Sequence, residues 1–90
     1  MFKWLNFQGV AHSDGYEVQI VDRETIRYAE GERKLLIQAD MGSPIGVYFT
    51  DAVRWQAPHQ HEILTAADRQ RIRDRLVAAT TVFSAPCVFL

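Results

Sequence analysis

Three consecutive segments in the first half of the chain alternate apolar and polar residues, and this alternation constrains the fold more than any other feature. The segments are residues 16–22, 25–29 and 34–40, and in the first of them Val18 and Ile20 alternate with polar neighbours. Side chains that repeat with a period of two lie on one face of a β-strand. Short polar stretches, one of which contains a glycine, separate the segments and can reverse the chain. The sequence therefore predicts a three-stranded meander.

A fourth strand is expected after this meander. Glycine and proline interrupt the chain after the third segment, and residues 45–50 then alternate again, with Val47 and Phe49 on one face. We therefore expect a four-stranded, mainly antiparallel sheet in meander order over residues 16–50. Residues 51–64 then leave this sheet as a loop.

One amphipathic helix is predicted over residues 65–80. Its first residue, a threonine, and Asp68 have the spacing of a capping box, in which each residue bonds the backbone amide of the other. At about 100° per residue, Ile72, Leu76 and Ala79 fall in one stripe, which we expect to cover the sheet. The predicted fold class is therefore α+β, with one C-terminal helix against the sheet.

The two ends of the chain are predicted to be less regular. Residues 1–15 are interpreted as an N-terminal arm that ends in a turn and whose apolar side chains plug one end of the core. Residues 81–90 form an apolar tail, because Pro86 prevents the helix from continuing. We expect this tail to add a fifth strand or to form the contact of a homodimer. Ninety residues suffice to bury one modest core, so a single domain over residues 1–90 is predicted.

Composition excludes several classes of protein. A formal net charge of -1 provides no overall electrostatic attraction to nucleic acid or to anionic lipid. The single cysteine, Cys87, cannot form an intramolecular disulfide or a multi-cysteine zinc site, and it suits a reducing compartment. No apolar run approaches the roughly 18 residues that span a bilayer, and no signal-peptide core is present. We expect a cytoplasmic protein with no membrane partner.

The loop contains the motif RWQAPHQHE over residues 54–62, in which His59 and His61 raise the question of a metal site. A zinc site needs a third and usually a fourth ligand, and the other histidine and the cysteine lie far away in sequence. No metal site is therefore predicted. Trp55 could either seal the sheet or anchor an interface, and we favour burial.

Catalytic patterns are missing from the sequence. The serines and the cysteine lack the flanking residues of an activated nucleophile. The acidic residues Asp40, Asp51 and Glu62 have no spacing that pairs two of them as an acid and a base. We therefore predict no catalytic residue, no cofactor and no enzymatic activity.

Four arginines alternate along residues 69–75 and are the strongest charge feature of the chain. With two aspartates they give residues 63–90 a formal charge of +2, whereas residues 1–62, with six basic and nine acidic side chains, carry -3. This asymmetry favours interaction with a charged partner. Residues two apart on a helix spread around more than half of its circumference, so a solvated helix face is expected in preference to a phosphate-binding stripe.

Several of these motifs occur in an order that resembles a known family. The order comprises Thr25-Ile26-Arg27-Tyr28, Glu30-Gly31-Glu32-Arg33-Lys34-Leu35, Val47-Tyr48, Arg54-Trp55 with Pro58, and Ile72-Arg73-Asp74-Arg75-Leu76. It resembles the immunity protein 74 family, which consists of small bacterial immunity proteins of polymorphic-toxin systems. The resemblance spans about residues 16–79 and leaves the N-terminal arm and the apolar tail outside it.

The resemblance implies binding without turnover, because such proteins occupy or block a cognate toxin domain. We therefore expect a non-catalytic protein whose partner is a cognate toxin. The candidate partner-binding residues are Tyr48, Arg54, Trp55, His59 and His61. Two alternatives stay open: a small nucleic-acid-associated accessory module that uses the arginine-rich helix, and a purely structural domain.

Overall fold

The structure is a computed structural model that describes residues 1–90, and it contains seven β-strands and one α-helix. The elements in chain order are β1 (Phe2–Asn6), β2 (Gly9–His12), β3 (Tyr16–Asp22), β4 (Thr25–Glu30), β5 (Arg33–Asp40), β6 (Gly46–Val47), α1 (Ala66–Phe83) and β7 (Val88–Phe89). The strands form one sheet in the order β1 to β7, so each strand lies beside its neighbour in sequence.

The predicted α+β class is confirmed, and the predicted central meander corresponds to β3, β4 and β5. All pairs from β1 to β6 are antiparallel, whereas β7 is parallel to β6. The prediction of a four- or five-stranded, mainly antiparallel sheet is therefore wrong, because the sheet has seven strands and is mixed. The additional strands come from the two ends of the chain.

The N-terminal residues form the hairpin β1–β2, so the prediction of an irregular arm over residues 1–15 is wrong. The side chain of Asn6 accepts a hydrogen bond from the Gln8 amide (2.8 Å) and donates one to Gln19 Oε1 (2.9 Å), which stabilises the turn and ties it to β3. The hairpin covers the edge of β3, where unpaired backbone groups would otherwise be open. Pairing with β3 thus imposes strand structure on a segment with weak local signals.

The fourth predicted strand is shorter than expected, and the tail completes it. Only Gly46–Val47 forms regular ladder pairs with β5, after which Tyr48 and Gln56 each donate one backbone hydrogen bond to β5. The amides of Val88 and Leu90 donate to the carbonyls of Ile45 and Val47 (both 2.9 Å), which places the tail beside β6. The tail therefore adds a strand, while the homodimer contact stays a prediction.

The core lies between one face of the sheet and α1. Inward-facing side chains of paired strands align in rows, such as Val10, Val18, Tyr28 and Leu35. Three helix residues close the core from the other side and are fully buried, as their spacing predicts: Ile72, Leu76 and Ala79. Trp55 belongs to the same core and is only 4% exposed, so its predicted burial is confirmed.

The helix begins with the predicted capping box. The Thr65 hydroxyl accepts from the Asp68 amide (3.1 Å), and the Asp68 carboxylate accepts from the Thr65 amide (3.0 Å). At the other end α1 reaches Phe83, beyond the predicted end at residue 80. The hydroxyls of Thr80 and Thr81 donate to carbonyls one turn back, which gives these side-chain donors an acceptor within the helix. No helix in this structure combines the length and apolar character needed to cross a lipid bilayer.

Candidate functional site

The four arginines of α1 fall into two pairs on opposite flanks of the buried stripe. Arg69 and Arg73 lie on the side of β6 and β7. The Arg69 guanidinium donates to the Phe49 and Thr50 carbonyls (3.3 and 2.7 Å) and lies 4.6 Å from the centre of the Phe49 ring. Arg73 lies over the rings of Phe49 and Phe89, at 5.4 and 5.9 Å. These cations contact aromatic faces and carbonyl groups of the protein itself.

The other pair joins α1 to β3 and β4. Arg71 donates to both carboxylate oxygens of Glu30 (3.0 and 3.1 Å), and Arg75 donates to the Tyr28 hydroxyl (3.0 Å), which in turn donates to Glu30 (2.9 Å). Arg75 also lies over the Tyr16 ring at 4.5 Å. Burial raises the pKa of Tyr28 to about 12 and outweighs the opposite effect of the Arg75 bond. Tyr28 therefore stays protonated at neutral pH.

The expected solvated helix face is thus wrong for the arginines. Successive alternate residues on a helix lie about 200° apart, so every second arginine returns to the same flank. Their aliphatic stems run along the edges of the core, and their charged ends reach groups at its rim. The guanidinium groups are engaged within the fold and do not form an open stripe for phosphates.

The residues predicted to bind a partner lie at different places. Tyr48 donates its hydroxyl to Asp40 (3.0 Å), and this bond raises the pKa of Tyr48. Arg54 is exposed, and its guanidinium donates to backbone carbonyls of the same loop. Trp55 is buried in the core. The structure therefore does not gather Tyr48, Arg54 and Trp55 into one exposed surface.

The two loop histidines also differ. His59 Nδ1 lies 2.7 Å from Glu62 Oε2, and Arg33 donates to Oε1 of the same carboxylate (2.7 and 2.9 Å). The hydrogen bonds from Arg33, and next those of His59, lower the pKa of Glu62. His61 is exposed. No group of three His, Cys, Asp or Glu side chains is placed to hold a metal ion.

The largest exposed apolar side chains lie on the β1–β2 hairpin, which the sequence analysis assigned to the core. Trp4 is 51% exposed, Leu5 45%, and Phe7, at the turn of the hairpin, 85%. The Trp4 ring meets Phe83 of α1 edge to face, with ring centres 5.6 Å apart. The sequence contained one signal for this surface, since Phe2, Trp4, Leu5 and Phe7 are four large apolar residues within six positions, more than a terminal hairpin can bury.

A groove of about 370 Å³ lies beside this hairpin. Its apolar lining consists of Ile20, Met41, Ile45 and Phe83, and Gln8 of the hairpin turn closes one side. Phe83 contacts Trp4 and also lines the groove, so it connects the groove with the Trp4 side of the hairpin. We call Trp4, Leu5 and Phe7 together with this groove the hairpin surface.

The hairpin also forms a free edge of the sheet. β1 is the first strand and pairs only with β2, whereas the opposite edge of the sheet is the two-residue strand β7.

Comparison of this chain with protein-family models, with curated protein sequences and with solved structures finds no match. The hairpin surface carries three of the nine exposed large apolar side chains, including both aromatic ones, Trp4 and Phe7, and is the candidate functional site.

Proposed function

We propose that this chain is a non-catalytic binding protein that neutralises a cognate bacterial toxin by direct protein–protein contact. The hairpin surface carries the proposal, because it joins exposed aromatic side chains to an apolar groove. Contiguous exposed apolar surface marks interaction sites, and aromatic residues concentrate binding energy. The order of motifs that resembles the immunity protein 74 family supports the same class of function.

The chemistry of the hairpin surface suits a protein partner. An apolar side chain of the toxin would enter the groove, where the flexible side chain of Met41 can adjust to its shape. Asp22 and Arg23 stand at the rim of the groove and can orient the partner by hydrogen bonds. Apolar contacts at the centre slow dissociation, while charges at the rim act on the rate of encounter.

The hydrogen bonds of several acidic side chains agree with a protein that binds without catalysis. Glu30, Glu62 and Asp68 each accept hydrogen bonds from an arginine of the same chain, which indicates a structural role for these carboxylates. We expect the cytoplasm as the compartment, because the buried thiol of Cys87 is free and suits a reducing environment.

The decisive experiment measures the affinity for the toxin domain encoded beside this protein. We expect Phe7→Ser to raise the Kd by at least about tenfold, as expected for an aromatic anchor at an interface. Ile63→Ser is the matched control, because Ile63 is equally exposed, at 84%, but precedes the opposite end of α1. Isothermal titration calorimetry gives both constants.

Two results would contradict the proposal. One is the lack of a complex at micromolar concentrations of both proteins. The other is an equal loss of affinity in Phe7→Ser and Ile63→Ser, which would indicate a general effect of removing an apolar side chain.

The predicted partner contacts outside the hairpin are Tyr48, Arg54, Trp55, His59 and His61, and one variant compares their loop with the hairpin surface. His61 is exposed, so His61→Ala changes a contact without disturbing the core. If the loop binds the toxin, His61→Ala raises the Kd more than Phe7→Ser does. We expect the reverse order.

The nucleic-acid alternative depends on the arginines of α1. It loses support because Arg69, Arg71, Arg73 and Arg75 contact rings, carbonyls and carboxylates of the protein itself. Electrophoretic mobility shifts at several salt concentrations test it, since phosphate contacts weaken steeply with ionic strength. We expect no salt-sensitive shift.

A further inference from the structure

The free edge of β1 presents a defined set of backbone groups. Phe2 lies opposite His12, and the Ser13 amide donates to the Met1 carbonyl (3.1 Å). In an antiparallel pair this arrangement makes Phe2 and His12 a non-hydrogen-bonded pair, whose N–H and C=O groups point away from each other. Trp4, two residues further along, has the same orientation. The backbone groups of Phe2 and Trp4 are therefore directed to the open side of the sheet.

The side chains of β1 divide between the two faces of the sheet. Phe2 and Trp4 lie on the face covered by α1, opposite His12 and Val10, and Lys3 between them lies on the other face. Only about half of the Trp4 side chain is covered. A further strand beside β1 would place an apolar side chain next to Trp4 and bring a side chain within reach of Lys3.

A second copy of this chain is a poor occupant of the edge. Suppose that two β1 strands pair antiparallel and that each uses the outward N–H and C=O groups of its Phe2 and Trp4. Phe2 of one copy then lies opposite Trp4 of the other. This register is centred on Lys3 and sets the two Lys3 residues directly opposite each other, where Cα atoms are only about 4.5 Å apart. Like charges in that position destabilise the pair, and lysine on an edge strand is a known device against self-association.

We propose that the free edge of β1 accepts an extended strand of the toxin, which carries an acidic residue opposite Lys3 and apolar residues beside Phe2 and Trp4. This inference rests on the proposed function and specifies how the partner is recognised. Backbone hydrogen bonds to Phe2 and Trp4 supply affinity that is independent of sequence, as in other cases of β-strand addition. Lys3 supplies the selectivity, because an acid opposite it is attracted and a base is repelled.

The first test uses two synthetic peptides, which differ only at the centre: Thr-Val-Glu-Val-Thr and Thr-Val-Lys-Val-Thr, both with blocked ends. Each is titrated into the ¹⁵N-labelled protein. We expect the glutamate peptide to shift the amide resonances of Phe2 and Trp4 and to reach half saturation at a concentration at least about fivefold lower than the lysine peptide. Lys3→Glu should reverse the preference. Equal titration of both peptides, or shifts centred on β7, would overturn the inference.

The matched control is Lys34→Glu. Lys34 is an exposed lysine in the same cross-strand row as Lys3, on the same face, but on β5, whose outer side is already bonded by Gln56. Lys34→Glu makes the same change in net charge without changing the free edge. We expect this variant to keep the wild-type preference for the glutamate peptide.

The toxin itself separates the two proposals. If the toxin forms a complex and Lys3→Glu weakens it about tenfold more than Lys34→Glu, both proposals are supported. If the toxin binds both variants with the wild-type Kd, strand addition at β1 is wrong and the proposed function stands. If no toxin complex forms but the peptides and Lys3→Glu behave as expected, the proposed function is wrong and recognition of acidic strands at β1 stands. Circular dichroism of each variant confirms that the fold is intact.

Discussion

The centre of the sheet and the N-terminal hairpin are antiparallel parts of one sheet but differ in what covers them. Under α1, the inward side chains of β4 and β5 are fully buried, and Glu30 and Tyr28 at the rim are paired with arginines. On the hairpin, Trp4 and Phe7 stay exposed, because α1 ends at Phe83 and only touches the Trp4 ring. Coverage by the helix therefore decides whether an apolar strand contributes to stability or remains available for binding.

This difference separates stability from function within one small fold. Burying a large aliphatic side chain contributes about 1.5–3 kcal/mol, and the centre contains most of these side chains. The hairpin contributes less burial and leaves one sheet edge unpaired. Variants in the centre should therefore change the free energy of unfolding, and variants on the hairpin should change affinity. Four predictions test this separation.

The largest effect is expected from Leu76→Ala in the middle of α1. Leu76 is fully buried, so its truncation should lower the free energy of unfolding by about 2–5 kcal/mol through lost transfer energy and a cavity. Urea unfolding followed by circular dichroism measures this loss. A loss below about 1 kcal/mol would mean that α1 contributes little to the core. It would contradict the division between a stabilising centre and a hairpin that is available for binding.

A smaller loss is expected from Glu30→Gln at the rim of the centre. Glu30 accepts hydrogen bonds from Arg71 and from the Tyr28 hydroxyl, and loss of its charge leaves the half-buried Arg71 guanidinium with Asp68 as its one paired carboxylate. We expect the free energy of unfolding to fall by about 1–3 kcal/mol. Glu17→Gln, on the exposed face of β3, is the control and should change it by less than about 0.5 kcal/mol. Equal effects of the two variants would contradict a specific role of the rim network.

The third prediction concerns pH and the start of α1. The hydrogen bond from the Thr65 amide, and next that from Arg71, hold the pKa of Asp68 below its ordinary value of 3.8. A carboxyl whose pKa is depressed on folding stabilises the protein above its ordinary pKa, and this stabilisation is lost as the pH falls through the folded pKa. The free energy of unfolding of the wild type should therefore decrease more below pH 3.8 than that of Asp68→Asn. Parallel pH profiles of the two proteins would contradict the prediction.

The smallest effect on stability is expected from Phe7→Ser on the hairpin. Phe7 is 85% exposed, so the free energy of unfolding should change by no more than about 0.5 kcal/mol, while the affinity for the toxin falls. Urea unfolding of this variant beside Leu76→Ala gives the comparison directly. A loss of stability above 1 kcal/mol would show that Phe7 contributes to the stabilising core.

The parts of the fold that follow from local patterns are the parts that the sequence analysis predicted. Alternation of apolar residues located β3, β4 and β5, and the Thr65–Asp68 spacing located the start of α1. The hairpin β1–β2 was missed, because it exists only through pairing with β3, and strand β7 was predicted only as one of two alternatives for the tail, because it depends on pairing with β6. The hairpin surface was missed for the same reason, since exposure of Trp4 and Phe7 depends on where α1 ends.

By itself the sequence determined the α+β class, the central meander, the capped helix and the burial of Ile72 and Leu76, because these depend on residues close together in the chain. Only the tertiary structure decided the seven-stranded mixed sheet and the two flanks of arginines. It also decided which apolar residues stay uncovered, because burial depends on distant elements that must meet in space. The open edge at Phe2 and Trp4 is of this second kind, since an edge is defined by the strand that is absent beside it.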